Sequence, residues 1–224
     1  MIALDNLTKV FRRNNQTTVV ADSISAVFPT GESVALIGRN GAGKSTLLRM
    51  IAGTALPTSG NVRSDGTVSW PVGYAGSFHP ELTGAQNVRF VARIYGIDSD
   101  ALVDYVQEFS ELGHHYFQRF GSYSSGMRAR LAMGTSMGID FDTYLVDEVT
   151  SVGDAVFRKK SQVIFADRMK NSSAIFVSHS MGLLRNMCTM GAVLHDGELN
   201  MFDDIEDAIS FHHKLMGLKK EEEG

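Results

Sequence analysis

Cysteine is almost absent from this 224-residue chain, where Cys188 stands alone. One cysteine closes no intrachain disulfide and builds no cysteine metal site, so the chain suits a reducing compartment and Cys188 is expected to fill core space. Long apolar runs are missing as well. The opening MIALDNLTKVFRRNN holds no apolar stretch of signal-peptide length, and no run anywhere approaches the roughly 20 residues needed to cross a bilayer. Any membrane role is therefore expected to come through a partner. There is no excess of basic charge: 21 basic against 25 acidic side chains leave a net charge of −4, which argues against a broad electrostatic footprint for nucleic acid. Internal repeats and low-complexity segments are also lacking. What remains is an ordinary globular composition, 43% hydrophobic, with length for one large domain or a core with a smaller subdomain.

Against that background one stretch stands out. GRNGAGKST, Gly38 to Thr46, fits the phosphate-binding pattern G-x-x-x-x-G-K-[ST] and lies between SVALI, which reads as a buried strand, and LLRMIAG, which reads as a helix. A strand, a glycine-rich turn and a helix start aim backbone N–H groups and the positive end of the helix dipole at one point. The loop residues Gly38, Asn40, Gly41, Ala42, Gly43, Lys44, Ser45 and Thr46 are thus nucleotide-binding candidates. Lys44 is expected to reach the β- and γ-phosphates and Ser45 to ligate Mg²⁺. A purely structural turn would not require glycine, lysine and hydroxyl at fixed offsets.

Around the loop the pattern alternates. Ile2 to Leu4, Thr17 to Phe28 and the strand before the loop suggest a small antiparallel sheet beside the nucleotide, and Asn61 to Gly73 forms a second β-rich patch. From residue 80 to 135 the spacing turns helical, with Val88, Val91 and Ile94 three apart and Leu102, Val106 and Phe109 four and three apart, which predicts a helical subdomain. The α/β alternation then resumes: strand Thr143 to Val146, helix Ala155 to Met169, strand Ser173 to Val177, helix Met181 to Cys188, a hairpin at Asp196-Gly197 and a last amphipathic helix, Asp203 to Leu215. The fold expected is α/β, a mixed sheet core over about 1–79 and 136–224 with an antiparallel β subdomain and the helical subdomain between.

Other residues narrow the class. YLVDEVTSVGD is an apolar strand ending in adjacent carboxylates at the edge where open α/β sheets bind ligands. Asp147 can hold Mg²⁺, and Glu148 is placed to orient or deprotonate an attacking water. YSSGMRARLAMG, before that strand, resembles the LSGGQ signature of ABC-type ATPases, with Ser125 in place of the first glycine and Met127 in place of the glutamine. The resemblance implies that Ser124, Ser125 and Gly126, at a helix start, contact the γ-phosphate of a nucleotide held by an opposite subunit. It further implies that His179, in IFVSHS, contacts the γ-phosphate and positions water. Asp154, in SVGD, matches the aspartate of the family's D-loop, which couples two sites across a dimer; it also suits an N-cap. Phe11, in TKVF, stands where the family stacks an aromatic on adenine, and a place in the core is the other reading of it. In GYAGSFHPELTG the family's glutamine, which links γ-phosphate and Mg²⁺ to the helical subdomain, is matched by His79, a side chain that ionises near neutral pH and so makes coupling more pH-sensitive.

The longer segments VSWPVG, ELTGAQNVRFVARIYG, EFSELG and DEVTSVGDAVF look like those of the ATP-binding subunits of capsular polysaccharide exporters. Relatives exporting O-antigen or teichoic acid often append a large C-terminal region; the chain ends at Gly224 without room for one, which favours the capsule branch. The resemblance implies a homodimer closing head-to-tail on two ATP, driving an integral membrane permease subunit that moves the polysaccharide, at the cytoplasmic face of a bacterial inner membrane. An O-antigen or teichoic-acid exporter is the first alternative, and a small-solute importer or a soluble ABC ATPase the next.

Overall fold

Three short apolar runs, SVALI, TYLVD and SAIFV, are buried almost throughout, as parallel strands covered on both faces must be. A computed structural model describes residues 1–13, 16–76, 78–147 and 154–217. In chain order the elements are β1 (Ile2–Arg13), β2 (Gln16–Phe28), β3 (Ser33–Ile37), α1 (Lys44–Ile51), β4 (Ser59–Ser64), β5 (Val68–Pro71), α2 (Gly84–Ile94), α3 (Ser99–Ser110), α4 (Ser125–Met137), β6 (Thr143–Asp147), α5 (Ala155–Arg168), β7 (Ser173–Val177), α6 (Met181–Met187), β8 (Met190–His195), β9 (Glu198–Phe202) and α7 (Ile205–Leu215). Short 3-10 turns lie at Gly113–Phe117 and Phe120–Ser122. The chain divides into two compact units, Met1–Pro71 with Asp142–Glu148 and Asn171–Gly224, and Val72–Phe141 with Val149–Lys170.

The first unit holds both sheets. One is antiparallel, β2-β1-β4; the other is mixed, β5-β6-β7-β3-β8-β9, parallel except for the β8–β9 hairpin. β3 therefore belongs to the mixed sheet and not, as its proximity in sequence suggested, to the antiparallel one. The expected β-rich patch at 61–73 likewise divides, β4 pairing with β1 and β5 with β6. One core joins the two sheets: Leu36, Leu145, Ile175 and Ala192 from the mixed sheet meet Leu47 and Leu48 of α1 and Ile2, Leu7 and Phe28 of the antiparallel sheet. Cys188 is buried, and burial pushes its thiol up to about 12, so it is the inert core residue expected.

The second unit packs α2, α3, α4 and α5. It is wider than the 80–135 expected from periodicity, because α5 is fastened to the other helices: Phe157 meets Phe109 edge to face at 5.5 Å, and Arg168 donates twice to the Met137 carbonyl, at 2.9 and 3.2 Å.

At the edge of the mixed sheet, Asp142 fixes where β5 meets β6. Its carboxylate accepts from the Thr67 N–H and hydroxyl, both at 2.7 Å, and its own N–H returns a bond to the Thr67 oxygen at 3.0 Å. The Thr67 backbone N–H, then its hydroxyl, hold the Asp142 carboxyl below the usual carboxylate range. A carboxyl lowered in the native state adds stability that is complete above its unfolded pKa and lost as pH falls through its native one. Asp142→Ala is therefore expected to lower the urea midpoint at neutral pH, and this deficit should narrow below about pH 4; paired urea titrations at the two pH values measure it, and an unchanged deficit would contradict the assignment.

Candidate nucleotide site

Among the described residues, six of the seven α-helices start with a side chain bonded to their first-turn N–H groups: Thr83, Asp98, Ser124, Asp154, Ser180 and Asp204 cap α2 to α7 in turn. Helix α1 does not. Its N-cap is Gly43, with no side chain to offer, and no acidic residue stands in its first turn. Its orphan donors and the positive end of its dipole are left for an anion.

The chain is brought into that shape by two close approaches. Gly43 has φ 105°, and a Cβ there would lie 2.1 Å from Val20 Cγ1 of β2, while a Cβ on Gly38 would lie 2.5 Å from the Leu194 carbonyl of β8. The loop is thus pressed between two strands where only glycine fits. Lys44, 8% exposed, folds back so that its ammonium donates to the carbonyls of Gly38 at 2.7 Å and Arg39 at 3.0 Å.

A cavity of about 530 Å³ opens over the loop, lined by Val20, Asn40, Gly41, Gly43, Lys44, Ser45, Thr46, Asp147, Val177 and His179. Asp147 and Val177 are directly paired across β6 and β7, so Asp147 and the segment leading to His179 leave the sheet side by side. The C-terminal ends of adjacent parallel strands are where such sheets bind ligands. Amides, an ammonium, two hydroxyls and one carboxylate form a donor set that fits a polyphosphate with a hard divalent cation. Of the first unit's candidates, Gly38 and Ala42 lie in the loop without lining the cavity. Phe11 does not line it either: it is exposed on β1 opposite Thr18, with the Lys9 ammonium 5.0 Å above its ring, so it is no core residue. Glu148, the expected base, lies outside the described residues.

The remaining candidates are in the second unit. Ser124 accepts from the Met127 N–H at 3.3 Å, capping α4, and Ser124, Ser125 and Gly126 are all exposed. Gly126 has an ordinary negative φ, and a Cβ there would touch nothing within 4 Å. No contact inside the unit requires glycine at this position. Asp154 caps α5 through the Val156 and Phe157 N–H groups, at 3.1 and 2.9 Å; those bonds, with Arg130 beside it, hold its carboxyl below the usual range. His79 is clamped by buried Asn87, whose side chain accepts the His79 N–H at 2.7 Å and donates to its carbonyl at 3.1 Å. Its Nδ1 accepts the Glu81 N–H at 3.2 Å.

Sequence reading passed over Arg128. Its guanidinium donates to the carbonyls of Tyr123 at 3.1 Å and Gly121 at 3.0 Å and lies 5.3 Å from the Phe120 ring, so it holds the turn that leads into α4. The only signal was an arginine two residues after Gly126.

A family profile described as ABC transporter matches residues 21–151, and the chain belongs to that family: it is an ABC-type ATPase, of a class that binds ATP. Within the family it is 46% identical over 96% of its length, and 99% of the relative's, to the polysialic acid transport ATP-binding protein KpsT of Escherichia coli. It is 39% identical to the capsule polysaccharide export ATP-binding protein CtrD of Neisseria meningitidis, covering 96% of this chain and all of that one. The teichoic acids export ATP-binding protein TagH of Staphylococcus haemolyticus is 36% identical, and the match spans 92% of this chain and 79% of that one. In fold, the dimeric post-hydrolysis structure of the ATP-binding cassette MJ0796 bound to ADP and Pi superposes with a TM-score of 0.76 at 20% identity, over 92% of this chain and 99% of that one.

Gly43→Ala should abolish nucleotide binding, measured with a fluorescent ATP analogue. Adding Val20→Ala should recover little, because it relieves the clash and leaves the left-handed backbone strained; full recovery would show that space alone sets the loop.

Proposed function

We propose that the chain is the ATP-hydrolysing subunit of an exporter that moves a capsular, lipid-linked polysaccharide across the inner membrane. The observation that carries the ATPase half is the uncapped start of α1 under a cavity that also receives Lys44, Asp147 and His179. The likeness to KpsT and CtrD over nearly whole chains supports the cargo class, and the more distant likeness to TagH ranks a teichoic-acid polymer second.

In this reading the amides of Gly41 to Thr46 and the Lys44 ammonium bind the β- and γ-phosphates, and Ser45 with Asp147 holds Mg²⁺. Bound Mg²⁺ supplies neutralising charge to the phosphate oxygens. Glu148 takes a proton from water as the water oxygen attacks the γ-phosphorus, His179 orients that water, and the bond to the β–γ bridging oxygen breaks to leave ADP and phosphate. Phe11 offers its exposed ring to the adenine. Ser124, Ser125 and Gly126 of a second copy approach the γ-phosphate, which gives a reason for a glycine that nothing within its own unit demands. Asp154 couples the two sites of the dimer, and His79 links the γ-phosphate to the second unit.

In this reading the subunit works against an integral permease from the cytoplasmic face; no helix among its own described residues is long and apolar enough to cross a membrane. Phe90 and Ile94, 56% and 62% exposed one turn apart on α2, are the apolar contacts offered to it. Nucleic acid is not a partner.

Replacing the chromosomal copy with Glu148→Gln should leave ATP binding intact and slow hydrolysis by about 100-fold or more. Surface polysaccharide should fall while lipid-linked polymer accumulates inside the cell. Unchanged glycan in both places, with the variant stably present, would defeat the exporter reading.

A further inference from the structure

Arg130, on α4, stands in a line of alternating charges that runs Lys160, Glu111, Arg130, Asp154. Its Nη2 donates to Asp154 Oδ2 at 2.6 Å, its Nη1 is 3.5 Å from Glu111 Oε2, and its guanidinium lies 4.4 Å from the centre of the Phe157 ring. Glu111 Oε1 receives Lys160 at 2.7 Å. Arg130 is 18% exposed while Asp154 is 63% exposed. The cation is therefore the anchored member, fixed by a ring and a second carboxylate, and it holds an aspartate that stands out at the surface. An isolated pair at a surface fixes little, whereas a stacked, forked arginine within a network has a defined orientation. Both oxygens of Asp154 are engaged, Oδ1 by the first turn of α5 and Oδ2 by α4.

Ser124 and Arg130 are on the same stretch of helix, six residues apart, a rise of about 9 Å. The turn at Ser124 to Gly126 and the carboxylate of Asp154 are consequently tied to one rigid element. We infer that Arg130 is a positioning residue: it fixes Asp154 relative to the signature turn, so that seating of that turn on a nucleotide and placement of Asp154 occur as one movement. The inference rests on the roles given above to Asp154 and the signature turn. Lysine cannot substitute, because it has neither the fork to meet two carboxylates nor the flat face for Phe157.

The test uses the ATPase subunit assembled with its membrane partner in proteoliposomes, with kcat, KM for ATP and melting temperature measured for each variant. Arg130→Gln and Arg130→Lys should each lower kcat about 10- to 100-fold with KM within about 2-fold. Asp154→Asn, whose amide oxygen still caps α5, should give the same kcat loss, and it carries the comparison if the arginine variants do not fold. The double variant should be no slower than the worse single, since the pair acts as a unit. Glu111→Gln removes a charge from the same cluster and leaves the 2.6 Å bond to Asp154 in place. It should lower the melting temperature and cost kcat several-fold less than Arg130→Gln does, because the Phe157 ring still holds the guanidinium. Unchanged kcat in Arg130→Lys, multiplicative losses in the double variant, or a Glu111→Gln loss equal to that of Arg130→Gln would each overturn the inference and leave Arg130 a stabilising residue. An unaltered transporter that does not hydrolyse ATP would instead defeat the preceding reading, and this one with it.

Discussion

The packing of the first unit holds one short loop in a conformation that turns the uncapped start of α1 toward an open cavity. β3 runs between β7 and β8 in the middle of the mixed sheet, and its apolar residues are buried on both faces. The chain that leaves it must pass Leu194 on one side and Val20 on the other, and glycine at positions 38 and 43 is what lets it through. The packed sheet thus maintains an exposed set of donors that a helix would otherwise cap for itself. The other helices among the described residues do cap themselves, which shows what α1 gives up to keep an anion site open.

The second unit repeats the device in a different form. α4 is capped by Ser124, yet its start is exposed and carries a glycine that no contact inside the unit requires. Arg128 holds the turn before it and Arg130 the aspartate beside it, so two arginines two residues apart set the surface that this helix presents. In the proposed function each unit displays half of what a nucleoside triphosphate needs, and head-to-tail pairing of two copies lets both halves act on the same molecule.

Much of this was legible in the residues. The phosphate loop, the strand ending at Asp147, the histidine after β7 and the signature turn are defined by short fixed spacings, and local spacing is what a sequence displays directly. The alternation after residue 143 gave its strands and helices nearly to the residue, because buried parallel strands are apolar throughout and their neighbours are not. Sheet membership was not legible for β3 or β5, since both follow antiparallel partners in sequence and pair instead with strands more than 70 residues later. The attachment of α5 to α3 and α4 was hidden for a similar reason: it depends on Phe157 meeting Phe109 and on Arg168 reaching the Met137 carbonyl, contacts between helices with no shared pattern. Arg130 resembled any surface arginine until its partners were seen. Phe11 was open between core and ring-stacking roles, and its exposure removes the first of these.

The most direct test of a site completed by a second copy is sedimentation of the Glu148→Gln chain with and without ATP and Mg²⁺, beside the same chain carrying Gly126→Asp. The account predicts a dimer that forms only with nucleotide and traps one ATP per chain. It further predicts that Gly126→Asp binds ATP in its own loop but stays monomeric, because a carboxylate then meets the γ-phosphate at the start of α4. A Gly126→Asp chain that dimerises on ATP as readily as its parent would contradict it, as would a parent that holds ATP at saturation and never leaves the monomer.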